Sequence, residues 1–389
     1  MKVARLKSPV SGGDRISSLD AIRGVAVLGI LPMNVVSFAL VGSAYMNISA
    51  PGTDTFLDWT VAVVGEVFVD QKFMALFSML FGAGIVLFAD RAKAKTNHPV
   101  WLSLWRNFLL LLIGLLHGVL WEGDILVIYA LLSPLLLLLR KLPSSLLLFL
   151  GIGIYALSPL AAIAGQMLAT EPADLAGFWF EAAQSGELAE VVLITDAFLR
   201  ALGAMLVGIA LFRWGVLQGQ RDRLFYRRLT IGGLVSGIPL AVAGVVWVSL
   251  ADYSADVAFI GSIPNTIATL PMATAYLAII ILWNSSGESR FRNRIRAVGR
   301  MALTNYLSQS VVGVLTFSVL LGQEPVTRSA AVVFVLLVWG AQLWWSLPWL
   351  NRFRYGPMEW AWRCATYRSW QPIRRSNESA ANLAAERRP

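Results

Sequence analysis

Long apolar runs, separated by short clusters of charge, organise this chain from one end to the other. Crossing a bilayer's hydrocarbon core takes about 20 apolar residues in a helix. Runs near that length are predicted at about 22–42, 73–90, 103–121, 124–140, 143–165, 190–213, 229–250, 263–283, 300–321 and 329–349. The pattern reads as an all-α polytopic membrane helix bundle of about ten transmembrane helices. The stretch 55–69 is apolar but interrupted by Asp58 and Glu66. It is expected to form an outer amphipathic helix or part of a re-entrant element, because a full crossing there would reverse the sidedness of every later loop.

Charge sets that sidedness. Lys2, Arg5, Lys7, Arg15 and Arg23 lead into the first run, and Arg91, Lys93, Lys95, Arg106, Arg140, Lys141, Arg213, Arg221, Arg223, Arg227 and Arg228 fall in alternate loops. Arg290, Arg292, Arg294, Arg296, Arg300 and the basic C-terminus continue the series, while Asp54, Asp58, Glu122, Asp124, Glu171, Asp174, Glu181, Glu187, Asp252, Asp256 and Glu324 occupy the opposite loops, and only Lys72, Arg200 and Arg328 fall out of place. By the positive-inside rule both termini are cytoplasmic. The chain then divides into a cytoplasmic N-terminal segment (1–21), one transmembrane domain (22–349), an interfacial segment (350–375) and a disordered tail (376–389). In the interfacial segment Trp360, Trp362, Tyr367 and Trp370 mix with Arg352, Arg354, Arg363 and Arg368, a composition suited to headgroup depth. The first run contains Pro32 and Asn34 and is expected to stay uncleaved. The acidic loop near 165–187 is expected to form a small cap, and Gly82, Ala83 and Gly84 to permit close helix packing.

Composition removes several classes of function. Hydrophobic residues make up 57% and charged residues 14%, with mean hydropathy +0.65, which excludes a soluble domain. The net charge of +9 does not point to nucleic acid, since the arginines punctuate apolar runs instead of sharing a surface with aromatics. The lone Cys364 excludes an intramolecular disulfide and a cysteine-based metal site. No metal-binding HExxH, phosphate-cradling GxxxxGK or GxSxG occurs, which weighs against metalloenzyme, ATPase and serine-hydrolase readings.

Polar residues within apolar runs are the candidates for chemistry. There are two histidines, His98 and His117. His117 stands in the hairpin 107–140 one turn before Trp121, with Glu122 and Asp124 following. An imidazole there could take a proton from a hydroxyl or amine, or itself be acylated, with Asp124 or Glu122 as its partner and Trp121 as a substrate contact. The structural alternative is a packing histidine beside two solvated carboxylates. Asp196 and Arg200 lie one helical turn apart and could bind an acceptor or simply neutralise one another. Asp20 and Arg23 sit at the inner mouth of the first run, where Arg23 could meet a phosphate or snorkel to headgroups. Arg300, Asn305, Tyr306 and Gln309 make the ninth run unusually polar at its start, which suits either an inner cavity or helix–helix hydrogen bonding.

Five segments, SLDAIRGVAVLGILPMN, DQKFMALFSMLFGAG, GLLHGVLWEGDILVIYALL, GRMALTNYLSQS and WLNRFRYGPMEWAWRCATY, resemble in order the YeiB family of bacterial multipass membrane proteins. The family's C-terminal half, about 215–370 here, is a domain of unknown function. The family often carries a longer aromatic-acidic stretch where this chain has Leu120, Trp121, Glu122, Gly123 and Asp124. The opening SLDAIRG is also similar to the start of transmembrane acyltransferases of the heparan-glucosaminide acetyltransferase type. That resemblance implies a bacterial inner-membrane enzyme taking an acyl group from cytosolic acetyl-CoA or another acyl-CoA. His117 would be its acyl-transfer residue, with Asp124 or Glu122 as partner. Asp20, Arg23, Arg300 and Asn305 would form the coenzyme pathway, with no metal. The implied partners are membrane lipids and a small-molecule, glycan or lipid acceptor, and a homodimer is compatible with the small-residue faces. Two other classes stay open: a transporter or flippase using Asp196, Arg200 and His117, and a lipid-binding protein without turnover.

Overall fold

The computed structural model describes residues 16–94, 96–182, 186–322 and 326–375. The basic residues before position 16 and the tail expected over 376–389 lie outside the described residues. The molecule is 78% helical with no strand among the described residues, only two isolated bridges, so it is an all-α membrane bundle. Nine helical stretches among the described residues are long and apolar enough to cross a membrane, and Leu126–Leu139 is a shorter apolar helix beside them. In order, the helices are α1 Ser17–Ala39, α2 Phe56–Phe68, α3 Lys72–Lys93, α4 Pro99–Leu120, α5 Leu126–Leu139, α6 Ser144–Tyr155, α7 Ser158–Leu168 and α8 Glu187–Arg213. They continue with α9 Arg223–Leu250, α10 Ile263–Asn284, α11 Arg290–Arg300, α12 Ala302–Val314, α13 Arg328–Arg352 and α14 Pro357–Tyr367.

Several predicted runs are broken, and each break has a local cause. The run 143–165 is two helices, parted where Pro159 opens α7 near its N-terminus. The run 300–321 begins after Arg300 ends α11 and finishes in the π-helical turn Leu315–Leu320. The stretch 55–69 forms α2, started by a capping box in which Thr55 and Asp58 satisfy each other's backbone N–H groups. Asp58 also accepts from the Ser329 N–H at 2.8 Å, fastening the starts of α2 and α13 together. Helix α2 leads into α3 through Gln71, whose φ of 62° is left-handed. The two helices make one discontinuous apolar stretch, Phe56–Lys93.

Close backbone approach holds the centre together. A Cβ on Gly82 would collide with the Met205 carbonyl and one on Gly208 with that of Met79, so α3 and α8 touch backbone to backbone. Gly84, grouped with Gly82 by sequence, meets nothing within 4 Å and lines a cavity instead. Helix α11 lays Ile295, Ala297 and Val298 inward and crosses α1 where Gly24 and Gly299 meet the opposing backbones. The loop after α7 does form a cap: Leu175, Phe178 and Trp179 pack on Val257, Ala258 and Phe259, and the Trp179 indole donates to the Tyr253 carbonyl at 2.9 Å. At the basic end α14 lies against α4, its Trp362 indole donating to the Arg106 carbonyl at 2.9 Å.

Candidate functional site

The hairpin α4–α5 is lopsided, and that asymmetry builds the site. Helix α4 has 22 residues and α5 only 14, so the connection does not stay at the acidic surface. After Trp121 the chain turns back along α4 until Asp124 lies beside Gly114. A Cβ on Gly114 would stand 3.1 Å from Asp124 Oδ2 and 2.9 Å from the Val127 nitrogen, so glycine is what admits the loop. There Asp124 Oδ1 is 3.1 Å from His117 Nδ1, with side chains only 4% and 2% exposed for His117 and Asp124. The contact has ion-pair distance without hydrogen-bond alignment. Tyr306 donates its hydroxyl to the same Asp124 oxygen at 2.9 Å, and its ring centre lies 5.4 Å from that of His117.

Three buried atoms of this group, His117 Nδ1, His117 Nε2 and Asp124 Oδ2, make no hydrogen bond. Buried polar atoms left open in this way call for a partner such as water, an ion or a substrate. On the acidic side Trp121 covers the group, its ring centre 6.0 Å from that of His117 and its indole donating to Ser37 at 3.0 Å. Glu122, the other carboxylate of the turn, is exposed and is not brought to the imidazole. His98 is exposed at the start of α4.

From the basic end a cavity with about 1020 Å³ of empty space runs toward this group. Its mouth holds Arg23, Arg106, Arg300 and Glu359, its walls are Phe77, Phe81 and Leu110, and its inner end reaches Leu126 and Tyr306. Arg23, Arg91, Arg106 and Arg363 share an adjoining vestibule in which Glu359 is the one carboxylate. Arg106 is held between the rings of Phe88 and Trp362, at 4.3 and 4.2 Å. Asp20 pairs with Arg23 at 3.3 Å. Glu359 accepts from the backbone of Leu303 and Thr304, at 2.7 and 3.1 Å, capping α12, whose own N-cap residue Met301 has no side-chain acceptor. Burial pushes the Glu359 carboxyl above its usual range, against the hydrogen bonds from Thr304. Asn305 is fully buried and donates to the Val298 carbonyl at 3.2 Å and to Ser346 at 3.3 Å; it is core, away from the cavity wall.

A family model described as a protein of unknown function, DUF418, matches residues 211–369. The chain is 33% identical to "Uncharacterized protein YeiB" of Escherichia coli (strain K12), over 92% of this chain and 98% of that protein. The chain belongs to the YeiB family. A second relative, "Uncharacterized protein YxaH" of Bacillus subtilis (strain 168), is 31% identical over 94% of this chain and 97% of its own length. No solved structure matches.

This YeiB-family chain has a second polar centre. Asp196 and Arg200 do pair, as their spacing predicts, but in a different cavity, near the acidic end and lined also by Glu66, Asp70 and Asn265. Lys72 is fully buried and bonded to Asn265. Sequence reading noted Glu66 as an interruption and Lys72 as out of place without seeing that they meet. It likewise noted Tyr306 as polar but did not pair it with Asp124, and it did not single out Arg106 for the mouth.

Proposed function

We propose that the chain is an inner-membrane acyltransferase that moves an acyl group from an acyl-CoA entering at the basic end to a hydroxyl or amine acceptor at His117. The observation that carries this reading is the buried His117–Asp124–Tyr306 group at the inner end of a cavity whose mouth is rich in arginine. The vestibule arginines suit the phosphates of the coenzyme, and the apolar walls suit its acyl arm. Tyr306 closes the cavity below His117, so its side chain has to swing aside for the thioester to reach the imidazole. In the transfer step the acceptor oxygen or nitrogen attacks the thioester carbonyl and its proton passes to His117 Nε2. The C–S bond breaks as the new acyl bond forms, and the departing thiolate takes the proton. Asp124 would orient the ring and offset the imidazolium charge.

Titration calorimetry of the purified protein with acetyl-CoA, followed by an acyl-transfer assay over an acceptor panel, tests the proposal. Binding by wild type with transfer lost in His117→Ala is the expected result. Absence of coenzyme binding, or transfer unaffected by His117→Ala, would overturn it. The discontinuous α2–α3 passage with its buried charges favours a second reading, transport of a small molecule or lipid. Proteoliposome flux that needs Arg200 but no acyl donor would support that reading instead.

A further inference from the structure

The break between α2 and α3 places Glu66, Asp70 and Gln71 against one chamber. Asn265 holds the two carboxylates in register, donating to Glu66 Oε1 at 2.8 Å and to Asp70 Oδ2 at 3.3 Å. The nearby cations are already engaged: Lys72 with the Glu66 carbonyl and Asn265, Arg200 with Asp196, and Arg328 with Thr53 and the Ala44 carbonyl. Two atoms stay open. Gln71 Oε1, on a residue 6% exposed, has no donor, and Arg200 Nε, on a residue 8% exposed, has no acceptor. An acceptor-rich wall with one spare donor suits a ligand bearing both an ammonium and an anionic oxygen. Among the described residues no three His, Cys, Asp or Glu side chains stand close enough to hold a metal ion.

The chamber adjoins an apolar groove between α1, α2 and α13. Tyr45, Ile48, Glu66 and Asp70 line both spaces, and Val36, Leu40, Val61 and Val335 wall the groove. Val64 and Leu336, also on its wall, are 48% and 56% exposed, so the groove opens on the outer surface of the bundle between α2 and α13. An apolar opening of that kind has the chemistry to take an alkyl chain.

We infer that the chamber and groove together bind a primary-amine phospholipid. The ammonium sits among Glu66, Asp70 and Gln71, the phosphate faces Arg200, and one chain lies in the groove. The site is separate from His117 and stands whether or not His117 carries acyl transfer. Delipidated protein in detergent is titrated with short-chain phosphatidylethanolamine, phosphatidylglycerol and phosphatidylcholine of one chain length, read by native mass spectrometry. Phosphatidylethanolamine should bind about tenfold more tightly than the other two, since the glycerol head lacks the ammonium and the choline head cannot donate hydrogen bonds. Glu66→Gln with Asp70→Asn should remove that preference. Gly65 lines the groove and a Cβ there meets nothing within 4 Å, so Gly65→Phe should block the chain while leaving the melting temperature unchanged. Equal binding of the three lipids, or phosphatidylethanolamine binding that survives Gly65→Phe in folded protein, would overturn the inference.

Discussion

Gly114→Ala asks whether the recessed turn is what brings a carboxylate to His117. The added methyl would stand 2.9 Å from the Val127 nitrogen, 3.1 Å from Asp124 Oδ2 and 3.1 Å from the Leu126 Cβ. Each separation falls short of ordinary contact by several tenths of an ångström, and two of the three neighbours are backbone or Cβ. The turn therefore has to move off α4 as a unit. Helix propensity alone would make alanine about 0.8–1 kcal/mol better than glycine, while crowding of this kind costs about 1–3 kcal/mol, so the net change should run from neutral to about 2 kcal/mol destabilising. The functional effect should be larger, because displacing an orienting group by about 1 Å can cost roughly 100-fold in rate. Gly118, one turn further along α4, is the control, since its Cβ would meet nothing within 4 Å. Melting temperatures of the two variants in detergent, with acyl-transfer rates, provide the measurement. Gly118→Ala should match or exceed wild type in stability and keep its activity. Equal stability and full activity in Gly114→Ala would refute the claim that this glycine admits Asp124.

Tyr306→Phe removes the hydroxyl that donates to Asp124 at 2.9 Å; it should destabilise by about 1–3 kcal/mol and lower kcat more than KM, separable by steady-state kinetics. Glu359→Ala strips the acceptor from the start of α12 and should cost about 1–2 kcal/mol in thermal unfolding. Because burial raises the Glu359 carboxyl, its contribution is present below the carboxyl's unfolded value and is lost as pH rises through its folded one. Wild-type melting temperature should fall across that window, and Glu359→Gln should flatten the change. Gly299→Ala would drive a methyl into the Asp20 carbonyl, parting α11 from α1 at a cost of about 3 kcal/mol or more; the yield of monodisperse protein after detergent extraction should drop sharply.

The hydropathy pattern located the bundle and most of its passages, since the cost of burying a residue in lipid is a property of that residue and its neighbours in sequence. It missed the helix break beside Pro159 in the 143–165 run, which hydropathy does not set, and it left open how 55–69 connects onward, which is through a left-handed Gln71 into α3. His117 stood out because histidine is rare here and lies in an apolar run. Asp124 and Glu122 were equivalent by spacing, two positions apart, and nothing local separates them. The choice follows from how far the turn folds back along α4, which the missing side chain of Gly114 permits.

Sequence by itself therefore determined that this is an all-α membrane bundle with a basic and an acidic end, that it resembles the YeiB family, and that His117 is the imidazole within a passage. Tertiary structure alone decided which groups meet. Tyr306 reaches Asp124 across 182 residues, and Asn265 reaches Glu66 across 199. The reason is that transfer free energies and charge asymmetry act on single residues and short windows. The pairing of buried polar groups is instead set by close packing of distant helices, where each unsatisfied atom costs enough to select its partner.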